Sequence, residues 1–272
     1  SEDCSTFGSS PNYKGYGASL LYEPHKDISI QPFWGRIDVC DEDVQPLIFT
    51  TGDFLPKKYK RSTYFGQKWA ENEGRLETYG VVSRAKAGGF DVAAGLFLSN
   101  SDLAKTHADL LFDTDANGNV GQRIVVADRD DYSRSTSGEI RVSHAFIEDS
   151  RRHTLIASMR GRSLRRAYGG SALIDLGTSV TGVEDFRPEP ASIFGAKTFD
   201  RVEQTNLGLG YELRWHEVGE LSAGVQKVRY SKLVTTPAGE LPETKDNPWL
   251  FSFNAAVYLS NGIALYGGYT RG

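Results

Sequence analysis

The chain has 272 residues, 24% of them charged and 39% hydrophobic, with a formal net charge of −4. That balance excludes a basic surface for nucleic acid, because no stripe of Lys and Arg is present to neutralise phosphates. No run approaches the roughly 20 apolar residues of a membrane-spanning helix. A membrane barrel stays open, since a spanning strand needs only about 9–11 residues, with every second one apolar.

In chain order the hydrophobic pattern has a period of two. Tyr16, Ala18, Leu20 and Tyr22 alternate first, ahead of a tight turn at Glu23-Pro-His-Lys26. A long connection is expected at about residues 37–59, then a short turn at Asn72-Glu-Gly-Arg75 and another at Lys86-Ala-Gly-Gly89. Phe90, Val92, Ala94, Leu96 and Leu98 form the next run. A second long connection falls at 114–134, followed by Ile140, Val142 and Phe146, a turn at Glu148-Asp-Ser-Arg151, and Leu155, Ala157 and Met159. After a third connection at 166–200 comes the clearest strand: Leu207, Leu209, Tyr211, Leu213 and Trp215 on one face, Gly208, Gly210, Glu212 and Arg214 on the other. His216-Glu-Val-Gly219 turns the chain, and a fourth connection spans 235–248. Trp249, Phe251, Phe253, Ala255, Val257 and Leu259 then lead to Ser260-Asn-Gly262.

The pattern predicts an all-β chain, an antiparallel meander of about 12 strands forming part of a transmembrane β-barrel, with residues 1–272 as a single domain. Turns alternate between tight and long, as periplasmic turns and extracellular loops do, except that parity puts the short Lys86–Gly89 turn on the outer side. Trp34, Trp69, Trp215, Trp249, Tyr266 and Tyr269 fall near strand ends, where aromatic girdles would lie. A soluble β-sandwich alternates too and remains a competing reading.

Candidate sites are few. Asp113-Thr-Asp-Ala-Asn-Gly-Asn119 opens like a calcium loop, but Ile124 stands where an EF-hand places its bidentate Glu, so a polar extracellular loop is the better reading. Arg160, Arg162, Arg165 and Arg166 form a basic cluster at the upper end of one strand. Arg160 and Arg162 alternate with Leu155, Ala157 and Met159 and so should face the lumen. There they could hold an anionic ligand or pair with the carboxylates Glu139, Asp175 or Glu212, and at the rim they could meet lipopolysaccharide phosphates. The five His have no metal-site spacing, and the adjacent Ser143 and His144 point to opposite faces of a strand, so neither metal, cofactor nor catalysis is expected. Cys4 and Cys40 flank the first hairpin; in an oxidising compartment a disulfide is the favoured expectation, and two alkylatable thiols in natively exported protein would refute it.

Five segments resemble the barrel of TonB-dependent receptors, of the kind common in sphingomonad-like proteobacteria: Thr136–Phe146 (TSGEIRVSHAF), Arg152–Arg162 (RHTLIASMRGR), Tyr168–Gly177 (YGGSALIDLG), Val218–Lys227 (VGELSAGVQK) and Ala264–Gly272 (ALYGGYTRG). The resemblance implies a bacterial outer-membrane location, surrounding lipid and lipopolysaccharide, and import of a scarce small-molecule nutrient such as a ferric siderophore. TonB would act through a plug domain that has no recognisable counterpart in this sequence. Receptors of this type have about 22 strands, so a dozen would be a fragment, and a fragment is not expected to support TonB-dependent uptake alone. A complete passive channel of twelve strands is the other membrane reading.

Overall fold

The computed structural model describes residues 11–41, 44–60, 63–260 and 262–272. Among them fifteen strands belong to one sheet, and ten run through it in order. These are β1 (Pro11–Ser19), β3 (Ile28–Asp41), β5 (Asn72–Ala87), β6 (Phe90–Thr114), β7 (Asn119–Glu148), β8 (Arg151–Tyr168), β10 (Thr198–Trp215), β11 (Gly219–Thr236), β14 (Trp249–Ser260) and β15 (Ile263–Arg271). Five short strands pair at the margins: β2 (Tyr22–His25), β4 (Leu47–Thr50), β9 (Ala172–Val180), β12 (Gly239–Glu240) and β13 (Thr244–Asp246). Every pairing is antiparallel except that of β4 with β6. The all-β meander is as the periodicity requires. The expected dozen strands resolve into ten that run through the sheet and five marginal ones, because the long connections carry short strands of their own.

Two expected features are overturned together. Asn72–Arg75 is not a turn but the beginning of β5, paired with β3 from Asn72↔Asp41 onward. Removing that turn shifts the parity of the next, so Gly88–Gly89 joins β5 to β6 at the same end as the other tight turns. There the Lys86 amide donates to the Asp27 carbonyl at 2.9 Å. Both glycines have positive φ, 58° and 81°, which a two-residue hairpin demands and side chains resist. The short–long asymmetry is then complete among the described residues.

The connection expected at 114–134 is also absent as a loop. β6 and β7 continue to 25 and 30 residues and meet in a tight turn at 115–118. At ~3.4 Å per residue β7 is about 100 Å long, far beyond a hydrocarbon core of about 30 Å. The hairpin leaves the sheet near Asp130, whose φ of 55° lies in the left-handed region that Asp tolerates. Close to that level both lateral neighbours end, β5 pairing as far as Lys105 of β6 and β8 as far as Tyr132 of β7.

The buried core sits on this protruding hairpin, not under the sheet. One cluster joins Val44, Ala70, Val125, Ala127, Ala172, Ile174 and Leu176, with Trp69 and Phe194 against it. The other joins Phe65, Leu111 and Val120, with Ile48 and Tyr59 packed on it. Residues 44–70, strand β9 and the loop 181–197 therefore fold onto the hairpin as a cap. Trp69 belongs to this cap and to no strand-end girdle; its indole N–H donates to the Arg187 carbonyl at 3.1 Å. The expected Cys4–Cys40 pairing falls outside the described residues.

Candidate functional site

Register places the two faces of the sheet residue by residue. One row runs Ile28, Ala85, Val92, Val142, Ala157, Leu209, Val225 and Phe251 across eight neighbouring strands without a polar member. The next row outward carries Ile30, Ala94, Ile140, Met159 and Leu207. Nothing covers this face: Leu209 is 65% exposed and Met159 51%. None of Leu207, Leu209, Tyr211, Leu213 or Trp215 belongs to a buried core. Toward the tight turns the same face carries a chain of rings, Phe90, His144, Phe146, His153 and Tyr211, with successive centroids 4.7 to 6.3 Å apart. Such rings suit a boundary between apolar and aqueous surroundings. Tyr266 is not part of it; its partner in register is Ala256, on the polar face.

The four arginines divide between the faces. Arg160, Arg162 and Arg166 alternate with Met159 and lie on the polar face; Arg165 lies on the other. Arg160 is held by Glu139, with Nε and Nη2 at 2.9 and 2.7 Å from its carboxylate, and Arg141 shares that carboxylate at 2.7 Å. Arg162 and Arg166 are exposed and make no ion pair among the described residues. Asp200 is in register with Arg166, but its nearer cation is Lys232 at 3.5 Å. Asp175 sits on β9 in the cap, bonded by the Gly177 amide and Gln122 and remote from the cluster.

Above the polar face the cap is pinned by polar groups that were not singled out from the sequence. Arg123 and Asp109 are 1% and 0% exposed. Arg123 Nε and Nη2 donate to the Asp109 carboxylate at 2.9 and 2.5 Å, and Nη2 donates again to the Phe65 carbonyl at 2.8 Å. Gln67, fully buried, donates to the Asp185 carbonyl at 2.7 Å and accepts the Arg187 amide at 2.9 Å. Residues 109 and 123 flank a stretch read as loop, so no periodicity marked them; their separation of 14 residues around a tight polar turn was the available signal. At that turn Asp115 accepts the amides of Asn117 and Asn119 and the Asn119 side chain, so the oxygens that resembled calcium ligands are engaged in shaping the hairpin tip.

No family model and no curated protein matches the sequence. Solved structures do match. The ferric preacinetobactin receptor BauA of Acinetobacter baumannii superposes with a TM-score of 0.77 at 12% identity, over 96% of this chain and 40% of that one. The closed form of the ferric-catecholate import receptor Fiu of Escherichia coli K12 gives 0.74 at 11%, over 96% and 43%. The ferripyoverdine receptor of the outer membrane of Pseudomonas aeruginosa gives 0.69 at 15%, over 97% and 36%. The chain has the fold of a siderophore-receptor barrel. It spans less than half the length of each receptor it matches. Within that fold the exposed apolar face is the outside of the barrel wall, the polar face carrying Arg162 and Arg166 is the lumenal side, and the capped hairpin belongs to the extracellular end.

The cap carboxylates set its acid sensitivity. The Arg187 guanidinium holds Asp185 below the usual carboxylate range, the Gly177 amide does so for Asp175, and the Asn119 side chain for Asp115. A depressed carboxylate contributes stability that is complete above its unfolded value of about 3.9 and lost as pH falls through the lower folded one. Protection of the 115–119 and 175–187 amides from hydrogen exchange, corrected for intrinsic rates, should thus be flat from neutrality to about pH 4 and fall below it. A loss beginning near pH 6 would instead implicate a histidine.

Proposed function

We propose that this chain forms one continuous section, a single domain, of the wall of an outer-membrane receptor that imports a scarce nutrient as an anionic metal chelate, a ferric siderophore being the type of ligand. The observation that carries the reading is the uncovered apolar face eight strands wide. A soluble sandwich would need a second sheet over it, and soluble monomers rarely expose contiguous apolar patches beyond a few hundred Å². Hydrocarbon is the solvent such a face requires.

On the lumenal side Arg162 and Arg166 are charged, exposed and free of ion pairs, while Arg160 is engaged by Glu139. We assign Arg162 and Arg166 the contact with the chelate's carboxylate or catecholate oxygens, with Arg160 positioned beside them through Glu139. Charge-assisted hydrogen bonds contribute about 1.5–3 kcal/mol each, roughly ten- to a hundredfold in affinity. In the receptor containing this sequence, Arg162→Ala with Arg166→Ala should lower affinity for an anionic ferric chelate at least tenfold. Arg165→Ala, on the outer face, should leave it unchanged. Uptake by a host lacking its own receptor should disappear when TonB is deleted. Uptake indifferent to TonB would overturn the receptor reading, and equal loss in the Arg165 variant would overturn the assignment of faces.

A further inference from the structure

Arg165 is one of three arginines in a row. Register sets Arg134 of β7 opposite Arg165 of β8, and Arg165 opposite Arg201 of β10. All three alternate in step with Ile140, Met159 and Leu207, so they stand on the outer face of the wall. Like charges directly opposite one another in adjacent strands repel, and the arrangement is unfavourable unless an anion lies across it. The carboxylates on hand neutralise it only in part: Asp102 reaches Arg134 at 3.5 Å, Glu203 is bonded by Arg201, and Arg165 has no ion pair among the described residues.

A second observation concerns what lies below the row. Gly138 and Gly161 are partners in register on the same outer face, between the arginines and the apolar residues. A Cβ added at Gly161 would meet nothing within 4 Å, so the sheet is bare there. The depression continues downward along Ile140, Met159 and Leu207, and its upper end is lined by Thr136, Ser163 and Thr205. The arginines stand six residues above Met159, about 20 Å along the strand and roughly 15 Å along the barrel normal at the usual tilt. That is the headgroup layer over the apolar band.

We propose that this slot holds a phosphorylated glycolipid of the outer leaflet, with a headgroup phosphate bridging Arg134, Arg165 and Arg201 and an acyl chain lying over Gly161 against Met159 and Leu207. Guanidinium groups bind phosphate bidentately and are weakly hydrated, which suits a site at the edge of hydrocarbon. A soluble anion would gain from the arginines alone, whereas this row adjoins an apolar groove shaped for a chain. The inference rests on the membrane reading above, and the test separates the two.

The full chain is folded into phosphatidylcholine vesicles containing a minor fraction of bis-phosphorylated lipid A. Flotation reports insertion, and native mass spectrometry after detergent release reports retained lipid. Wild type should float and retain lipid A over phosphatidylcholine. Arg165→Ala should reduce retention about tenfold, the loss of one charge-assisted contact. Joint replacement of Arg134, Arg165 and Arg201 by Ala should abolish the preference. Gly161→Leu, which fills the groove and touches no neighbour, should lower retention with all three arginines in place. Failure to float would sink the membrane reading and this inference with it; flotation without selective retention would sink this inference alone. Equal retention of dephosphorylated lipid A, or displacement of lipid A by millimolar inorganic phosphate, would also overturn it, the latter by showing a site for free anions.

Discussion

Asp109→Asn is expected to loosen the extracellular cap by about 3–5 kcal/mol, because it strands the Arg123 guanidinium in a site where it is 1% exposed. Removing one member of a buried ion pair leaves an unpaired charge, and that desolvation penalty, more than the lost attraction, sets the magnitude. Hydrogen exchange of the Val120 and Val125 amides should accelerate on the order of a hundredfold or more, at 1.4 kcal/mol per factor of ten. Amides of the lower strands, such as those of Leu209 and Ala157, should not respond, since the cap's clusters are built on the protruding hairpin. Arg123→Met should cost less than Asp109→Asn, because it leaves Asp109 and the Phe65 carbonyl unpaired but removes the larger ion. The double replacement Asp109→Leu/Arg123→Met should recover much of the loss, as apolar substitutes for buried ion pairs commonly do. A double variant as unstable as the sum of the singles would show that the two residues are not coupled.

Leu209→Arg should destabilise the chain folded in lipid vesicles by about 2–4 kcal/mol, the cost of an arginine near the middle of a barrel's lipid face. Leu209 is 65% exposed to its surroundings, and its row is apolar on every strand from β3 to β14. Gln226→Arg, one residue beyond Val225 and exposed on the lumenal face, should change stability by less than about 1 kcal/mol. Urea-driven release from vesicles measures both. Equal costs at the two positions would mean that the faces are not lipid and lumen, and a larger cost at Gln226 would mean that they are reversed.

The strands that cross the apolar band were legible because their signal is local. Leu207 to Trp215 and Trp249 to Leu259 alternate regardless of what lies beside them, and the period alone assigns each residue a face. The same alternation separates Arg165 from Arg160 and Arg162, so the division of the arginine cluster was present in the numbering. Asn72–Arg75 misled because Asn, Gly and charged residues imitate a turn, and only pairing with Cys40 and Asp41 shows them extended. A single false turn then inverted the side assigned to Lys86–Gly89.

The sequence by itself determined that the chain is a β-meander with one apolar and one polar face, since a period of two is a property of each strand's own geometry. It also determined where the tight turns at the inner end could form, through Gly, Asn and Asp that accept positive φ. Only the tertiary structure decided that residues 105–129 continue as paired strands beyond the sheet. Their alternation is irregular because each face there meets a different partner: residues 44–70, strand β9 or solvent. Only the tertiary structure decided, for the same reason, that the one buried ion pair joins Arg123 to Asp109, that Trp69 serves the cap, and that Arg134, Arg165 and Arg201 stand abreast. Contacts between strands depend on register, and register is set by how whole hairpins align, a quantity that no single stretch of sequence contains.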